Sequence, residues 1–440
     1  MTETGAARRG SRICVVGAGA AGLSAAYYLE QRGYHVTVLE KADRIGGKCH
    51  SVSSGGRWFD LGANYVTAGY THVLALARAV GAELYTEAKT VTAEIPEHGA
   101  PVFRSPLRAI LGRTFLLRFG LDILRYVWLR YRLAPVVDPP GFAGLTRYPE
   151  LCVSFGRWLD DNQLSSLRAM FEVPLTIMGY GYLDEIPAPH ALKYMSLPTF
   201  WNLVFVGADL PRAWPKRFVE GFEGFWRRIA DGLDVQLSVT IQRIERTDSV
   251  QVDLADGRRL EFDALVLACG LGLSTVESFL TLTEAERTLF GKIVVNPYVL
   301  TAHKVQGLRL PARIVGMLPV PAMGRPWAIT QQFPDNDFVQ FYSRVDREGR
   351  ISLEHVADAI AFDVAQLGGT LDPSYASVTP WQYFPHVTVS DFADGFFDRL
   401  EGLQGQRHTY YCGGVMAFEL VEPIVAYSQQ LVARYFPADV

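Results

Sequence analysis

An α/β fold with a parallel sheet, a second mixed sheet and a helical lobe is predicted by three observations. A strand, a glycine turn, a helix and a second strand follow one another over residues 11–40. Apolar runs typical of buried strands return far downstream, at Ala264-Leu-Val-Leu-Ala-Cys269 and Thr409-Tyr-Tyr-Cys412. Between these returns lie an apolar, arginine-punctuated stretch over 101–185 and a strand-rich aromatic stretch over 276–397.

Ile13 to Val16 reads as a strand buried on both faces of a parallel sheet. Gly17 then permits a tight turn, Gly19 lets the backbone approach a pyrophosphate, and Gly22 allows close helix–strand packing. A helix over Ala20 to Arg32, including Ala21, points its unpaired N–H groups and positive dipole end at that pyrophosphate. Gly33 ends the helix, and Tyr34 to Glu40 forms the next strand. Glu40 stands about 20 residues after the glycines, where an acid accepts hydrogen bonds from ribose hydroxyls; Lys41 adjoins it. This is a Rossmann-type dinucleotide fingerprint.

The motif that follows identifies the dinucleotide. Arg44-Ile-Gly46-Gly47-Lys48 sets two glycines and two cations beside a further stretch of phosphate, which points to non-covalent FAD. Gly62, Ala63 and Asn64 are small enough for a flat ring to lie on their backbone. Thr240 and Ile241, in a strand pattern running to Phe262, are candidates for backbone contact with adenine. Gly413, Gly414, Val421 and Glu422 precede or begin the last helix, whose N-terminus suits negative charge on a reduced ring. Gly270-Leu-Gly272 lacks a third glycine, so no separate nicotinamide site is expected.

The 440 residues are about half apolar with a net charge of −4, an ordinary globular composition that gives no support to nucleic-acid binding. Five scattered cysteines fit reduced thiols in a cytoplasmic protein and neither a disulfide framework nor a metal site. The preference for Arg over Lys suggests a bacterial source. Arg8-Arg9 resembles an export signal, but cleavage after it would remove the fingerprint. No transmembrane segment is expected, because arginines interrupt the apolar stretch from Ala109 to Tyr131. Placed on a helix, these arginines fall on several faces and give no clean amphipathic stripe. Residues 104–132 therefore read as a packed lobe, with contact to a membrane surface or an acidic carrier protein as the alternative.

Together these segments resemble the flavin amine oxidase and phytoene desaturase superfamily, and within it the bacterial polyenoic fatty acid isomerases. The resemblance runs along most of the chain, through Gly46-Gly-Lys-Cys-His-Ser51, Gly179-Tyr-Gly-Tyr182, Leu192-Lys-Tyr194, Trp381-Gln-Tyr-Phe-Pro-His-Val387 and Glu401-Gly-Leu-Gln-Gly405. It implies an amine oxidase-like architecture with an FAD domain over 11–75, 212–275 and 398–437. A substrate-binding sheet domain would take 76–100, 186–211 and 276–397, and a helical domain 101–185.

The resemblance further implies a redox-neutral isomerisation. A hydride leaves an allylic or bis-allylic carbon of a polyunsaturated acyl chain, passes through flavin N5 and returns at another carbon. No protein catalytic residue is assigned. Tyr298, Tyr342, Tyr383, Phe384 and His386 are the candidates for lining the apolar substrate site. The family holds the fatty acid carboxylate with an arginine after its first substrate strand. The matching stretch here, Glu87 to Ala93, contains only Lys89, so an ester, thioester or carrier-bound chain is open. Net oxidation of an amine or another metabolite is the alternative reaction.

Overall fold

The computed structural model describes residues 10–86, 90–95, 100–104, 116–207, 215–308 and 310–438. Arg8, Arg9, Lys89 with its two preceding neighbours, and positions 105–115 of the arginine-rich segment lie outside them.

Strand Arg12–Val16 centres a five-stranded sheet. His35–Leu39 and then Asp234–Gln236 lie on one side, and Ala264–Leu267 and then Thr409–Tyr411 on the other. Every pairing is parallel. Ile13, Cys14, Val15 and Leu265 to Leu267 are fully buried, as strands covered on both faces must be. The late apolar runs thus return to the N-terminal unit. Helix Ala20–Glu30 leaves the glycine turn and packs against the final helix, Val421–Tyr435. A three-stranded antiparallel sheet, Ile241–Arg246, Val250–Leu254 and Arg259–Phe262, lies in the segment between Asp234–Gln236 and Ala264–Leu267.

The second sheet has seven strands, in the order Thr370–His386, Val294–Gln306, Phe338–Arg344, Pro326–Thr330, Ile314–Met317, Thr90–Glu94 and Val102–Arg104. It is antiparallel except where Ile314–Met317 meets Thr90–Glu94. Strand alternation divides its side chains between two faces. Val305, Ile329, Val339 and Phe341 pack under helix Leu353–Gln366 through Val356, Ile360 and Val364. Tyr298, Leu300, Trp327 and Tyr342 occupy the other face, with Leu300 paired opposite Tyr342.

A helical lobe is built on Leu116–Val137, with Phe155–Asp161, Arg168–Glu172, Ala188–Tyr194 and Leu197–Gly207. The sequence reading groups 186–211 with the second sheet; its described residues form the last two of these helices, which pack in this lobe. The cause is aromatic packing. Tyr126 lies against Trp158, Phe171 and Phe200, and its hydroxyl donates to Met195 O at 2.7 Å.

The long helix also corrects the expectation about its arginines. Leu117, Leu121, Leu124, Trp128 and Tyr131 form one exposed row, with Arg118, Arg125 and Arg132 beside it. Arg130 alone turns inward, where it is fully buried and pairs with Asp138. Removing that one arginine from the surface leaves the stripe clean. Among the described residues no helix is long and apolar enough to cross a membrane.

Candidate functional site

One cavity of about 750 Å³ runs between the parallel sheet and the aromatic face of the second sheet. Its wall contains every residue expected to bind the cofactor except Gly22 and Glu422: Gly17, Gly19, Ala20, Ala21, Glu40, Lys41, Gly47, Lys48, Gly62, Ala63, Asn64, Thr240, Ile241, Gly413, Gly414 and Val421. Tyr298, Tyr342 and Tyr383 stand in the same wall with Trp381, Tyr65 and Tyr180.

Main-chain contacts shape the glycine-rich part. A Cβ on Gly22 would fall 1.8 Å from Gly17 O, so Gly22 lies behind the turn and lets helix and strand meet. The two glycine motifs touch one another: Gly46 N donates to Ala18 O at 2.8 Å, and a Cβ on Gly47 would stand 3.1 Å from Gly19 Cα. Glu40 holds both edges of this cradle, accepting from Ala18 N at 2.7 Å and Ala42 N at 2.9 Å. Arg44 donates to Ile45 O and Gly47 O, keeping its loop folded. The bare backbone left at the helix start, with Lys41 and Arg44 nearby, is a donor set suited to a pyrophosphate.

Contacts between distant segments shape the aromatic part. Gly62 lies so close to Lys48 that a Cβ there would meet Lys48 O at 1.8 Å, and Ala63 N donates to the same carbonyl at 3.0 Å. Trp381 Nε1 donates to Leu61 O at 2.7 Å, and Asn64 Nδ2 donates to Tyr342 Oη at 2.9 Å. Tyr298 and Tyr383 stack at 5.6 Å between centroids, and Tyr180 lies 5.2 Å from Tyr383. Burial raises the phenol pKa of Tyr180, Tyr298 and Tyr383 well above its usual value, so these rings are neutral walls.

An ion pair completes this wall: Lys48 Nζ bonds Glu419 Oε1, and the ammonium lies 6.0 Å over the Tyr383 ring. The other carboxylate oxygen of Glu419 is buried, with the main chain of Phe384 as its polar neighbour. Burial raises the Glu419 pKa, and Lys48 opposes the rise. Sequence reasoning misses Glu419, Tyr65 and Tyr180, because no local spacing marks them and only the fold brings them to the cavity. Burial pushes the Cys412 thiol up to about 12, which leaves it a neutral part of the wall. All five cysteines are free, and no metal-binding cluster occurs among the described residues.

Three expectations are corrected. Glu422 serves helix Thr71–Ala79 instead of the cavity, accepting from His72 N at 2.9 Å and Val73 N at 3.0 Å. A carboxylate satisfying first-turn N–H groups is a helix cap. Phe384 and His386 stand behind the wall because the strand pairing shifts between Val294 and Asn296, and Phe384 adopts φ of 49°. The irregularity re-aims both side chains. Phe384 packs against Tyr180, His190 and Phe418, while His386 Nδ1 donates to Phe384 O at 2.7 Å. His50, adjacent to the Lys48 loop, bonds Glu223 at 2.9 Å.

Comparison with known proteins agrees with this architecture. The family model of flavin containing amine oxidoreductases matches residues 20–290. The CLA-producing fatty acid isomerase from P. acnes superposes with a TM-score of 0.85 at 25% identity, over 97% of this chain and 99% of that one. The FAD-dependent oxidoreductase dpasF of Apiospora sacchari is 24% identical over 446 residues, 92% of this chain and 88% of its own length. Protoporphyrinogen oxidase 2 of Arabidopsis thaliana is 47% identical over 72 residues, a match spanning only 14% of that protein. Putrescine oxidase shares the fold, with a TM-score of 0.69 at 17% identity over 96% of this chain and 98% of that one. The chain therefore belongs to the flavin containing amine oxidoreductases, as a member similar to polyenoic fatty acid isomerases, and its cofactor is FAD.

Proposed function

We propose that this protein is a double-bond isomerase acting on a polyunsaturated acyl chain without net oxidation. The observation that carries the reading is the wall of neutral aromatic rings, Tyr298, Tyr342, Tyr383 and Trp381, beside the small-residue segment Gly62 to Asn64. Bound FAD would supply one hydride acceptor and donor, its flavin N5. The rings would exclude water, hold an apolar chain in one conformation and face positive charge developing along a polyene.

In this reading Gly17, Gly19, Ala20, Ala21 and Gly47 receive the pyrophosphate, Glu40 and Lys41 the ribose side, and Thr240 and Ile241 the adenine. Gly413 and Gly414, which precede the last helix, and Val421, which begins it, border the ring system. The match to the fatty acid isomerase over nearly the whole of both chains supports the same assignment.

A second reading, net oxidation of a metabolite, is favoured by one observation. The Glu419 carboxylate, buried in the cavity wall with its pKa raised by that burial, would be a proton acceptor that a pure hydride shuttle does not need. Anaerobic mixing of the yellow holoprotein with linoleate, methyl linoleate and a linoleoyl thioester separates the two. Isomerisation gives conjugated product with the flavin spectrum restored before any oxygen is admitted. Lasting bleaching, reversed only by oxygen or another acceptor, establishes oxidation and ends the isomerase reading.

A further inference from the structure

The exposed face of helix Leu116–Val137 is built as a binding surface, whichever reaction the cavity runs. Leu117, Leu121, Leu124, Trp128 and Tyr131 recur at the spacing of one helical face, and each is 54–72% exposed. Isolated exposed apolar residues are ordinary, but five in one row on one helix are not. Trp201 and Phe205, stacked on the neighbouring helix Leu197–Gly207, add two more exposed aromatic rings. Within the long helix the inner face is fully engaged, with Phe119, Asp122, Tyr126 and Arg130 buried. Among the described residues, the outer row is left exposed.

Charge decides what could cover it. The protein carries a net charge of −4, yet the exposed ionised groups of this helix are all arginines, Arg118, Arg125 and Arg132. Its one acid, Asp122, is buried against Ser166. The Arg132 guanidinium lies 4.8 Å over the Trp128 ring, the two groups presented together. A leucine row edged by arginines, with Trp and Tyr on the same face, is the composition of a helix lying in a lipid interface. There the apolar row enters the acyl boundary and the guanidinium groups remain among headgroup phosphates. A second copy of this chain fits less well. A two-fold contact over the middle of the row would bring Arg125 of both copies together, with no exposed acid on the helix to separate them.

We propose that this face docks the protein on an anionic phospholipid surface, with Leu117, Leu121, Leu124, Trp128 and Tyr131 inserted and Arg118, Arg125 and Arg132 against the phosphates.

The test is co-sedimentation of the FAD-loaded protein with vesicles of phosphatidylcholine alone and of phosphatidylcholine and phosphatidylglycerol in equal parts. Binding is expected to the anionic vesicles, weakened by salt, and to be far weaker to the neutral ones. Replacing the three arginines by glutamine should lower partitioning roughly a hundredfold, given the usual contribution of each basic side chain near an anionic surface. The Leu121→Glu, Leu124→Glu double variant should abolish it. Because these side chains are exposed, both variants should keep their flavin spectrum and melting temperature, which separates lost docking from lost folding. A protein that stays in solution with both kinds of vesicle overturns the proposal. So does a dimer in sedimentation velocity that the double leucine variant dissociates without any lipid binding having been present.

Discussion

The two halves of the cavity wall are made in different ways. Around Gly17, Gly19 and Gly47 the surface is mostly main chain, shaped by glycines and fixed by Glu40 within one stretch of about 30 residues. Around Tyr298, Tyr342 and Tyr383 it is side chain, assembled from segments far apart in sequence. Trp381 reaches Leu61 and Tyr342 reaches Asn64 across 320 and 278 positions. A main-chain cradle resists an added atom at Gly17, Gly22 and Gly47, where a Cβ would press on backbone, but little depends on which side chains surround it. A side-chain wall tolerates change at each residue, and each change alters what the wall admits.

The largest effect is expected from Gly22→Ala, which tests the cradle's intolerance directly. The new Cβ would sit 1.8 Å from Gly17 O, so the helix start must move away from the strand. Purified protein should lack bound flavin and melt at lower temperature. A yellow, normally stable variant would show that the helix can shift freely and that the two halves do not differ in this respect.

Next comes the ion pair of the aromatic half. Lys48→Met leaves the Glu419 carboxylate buried without its cation, a change that costs about 3–5 kcal/mol in fully buried pairs. Lys48 is 36% exposed, which puts the expectation at or below the lower end. Adding Glu419→Gln should restore most of the loss in chemical denaturation, a coupling that unrelated sites would not show. Glu419→Gln alone bears on the reaction. Loss of a general base would lower kcat by roughly 10²-fold or more, whereas an isomerase in which Glu419 only shapes the wall should lose far less.

The contrast also explains what sequence could show. The cradle, its two glycine motifs and Glu40 are legible because backbone geometry is encoded over a few adjacent residues. The period-two pattern likewise points to Tyr298 and Tyr342. It fails at Phe384 and His386, where a shift in pairing against Val294–Asn296 breaks the alternation. It misses Tyr65, Tyr180 and Glu419, which approach the cavity from loops with no pattern of their own. Glu422 misleads because an acid beside a helix start looks the same whether it caps its own helix or a neighbour's. The exposed leucine row is obscured by one residue: with Arg130 counted among the surface arginines the charges surround the helix, and with it buried they lie along one side.

His386 offers a test of the packing behind the aromatic wall. Burial lowers its pKa to about 4, an effect reinforced by Arg347 and Arg344 and opposed by the bond to Phe384 O. Burial also lowers the pKa of His190 in the same cluster. A histidine kept neutral by folding costs nothing at pH 7. As pH falls through about 6.5 the unfolded chain takes up a proton that the folded site refuses, so stability drops. His386 alone should remove roughly 2–3 kcal/mol by pH 4.5, before depressed carboxylates such as Glu286 begin to matter. Unfolding midpoints of His386→Gln should fall less steeply than wild type over that range. Parallel curves would mean that the ring gains a proton in place and is not held dry.

The smallest expected change probes the seam between the halves. Asn64 belongs to the segment that follows the glycine cradle, and Tyr342 to the centre of the aromatic face. Their 2.9 Å hydrogen bond ties one to the other. Tyr342→Phe keeps the ring and removes the bond, so stability should fall by about 1 kcal/mol with flavin content unchanged. If the bond holds the Gly62–Asn64 segment at the height set by the wall, its loss should alter product positions or raise KM for linoleate more than it lowers kcat. If the flavin spectrum and product pattern both stay as in wild type, the seam is mere packing and the aromatic face positions substrate through Tyr298, Tyr383 and Trp381 alone.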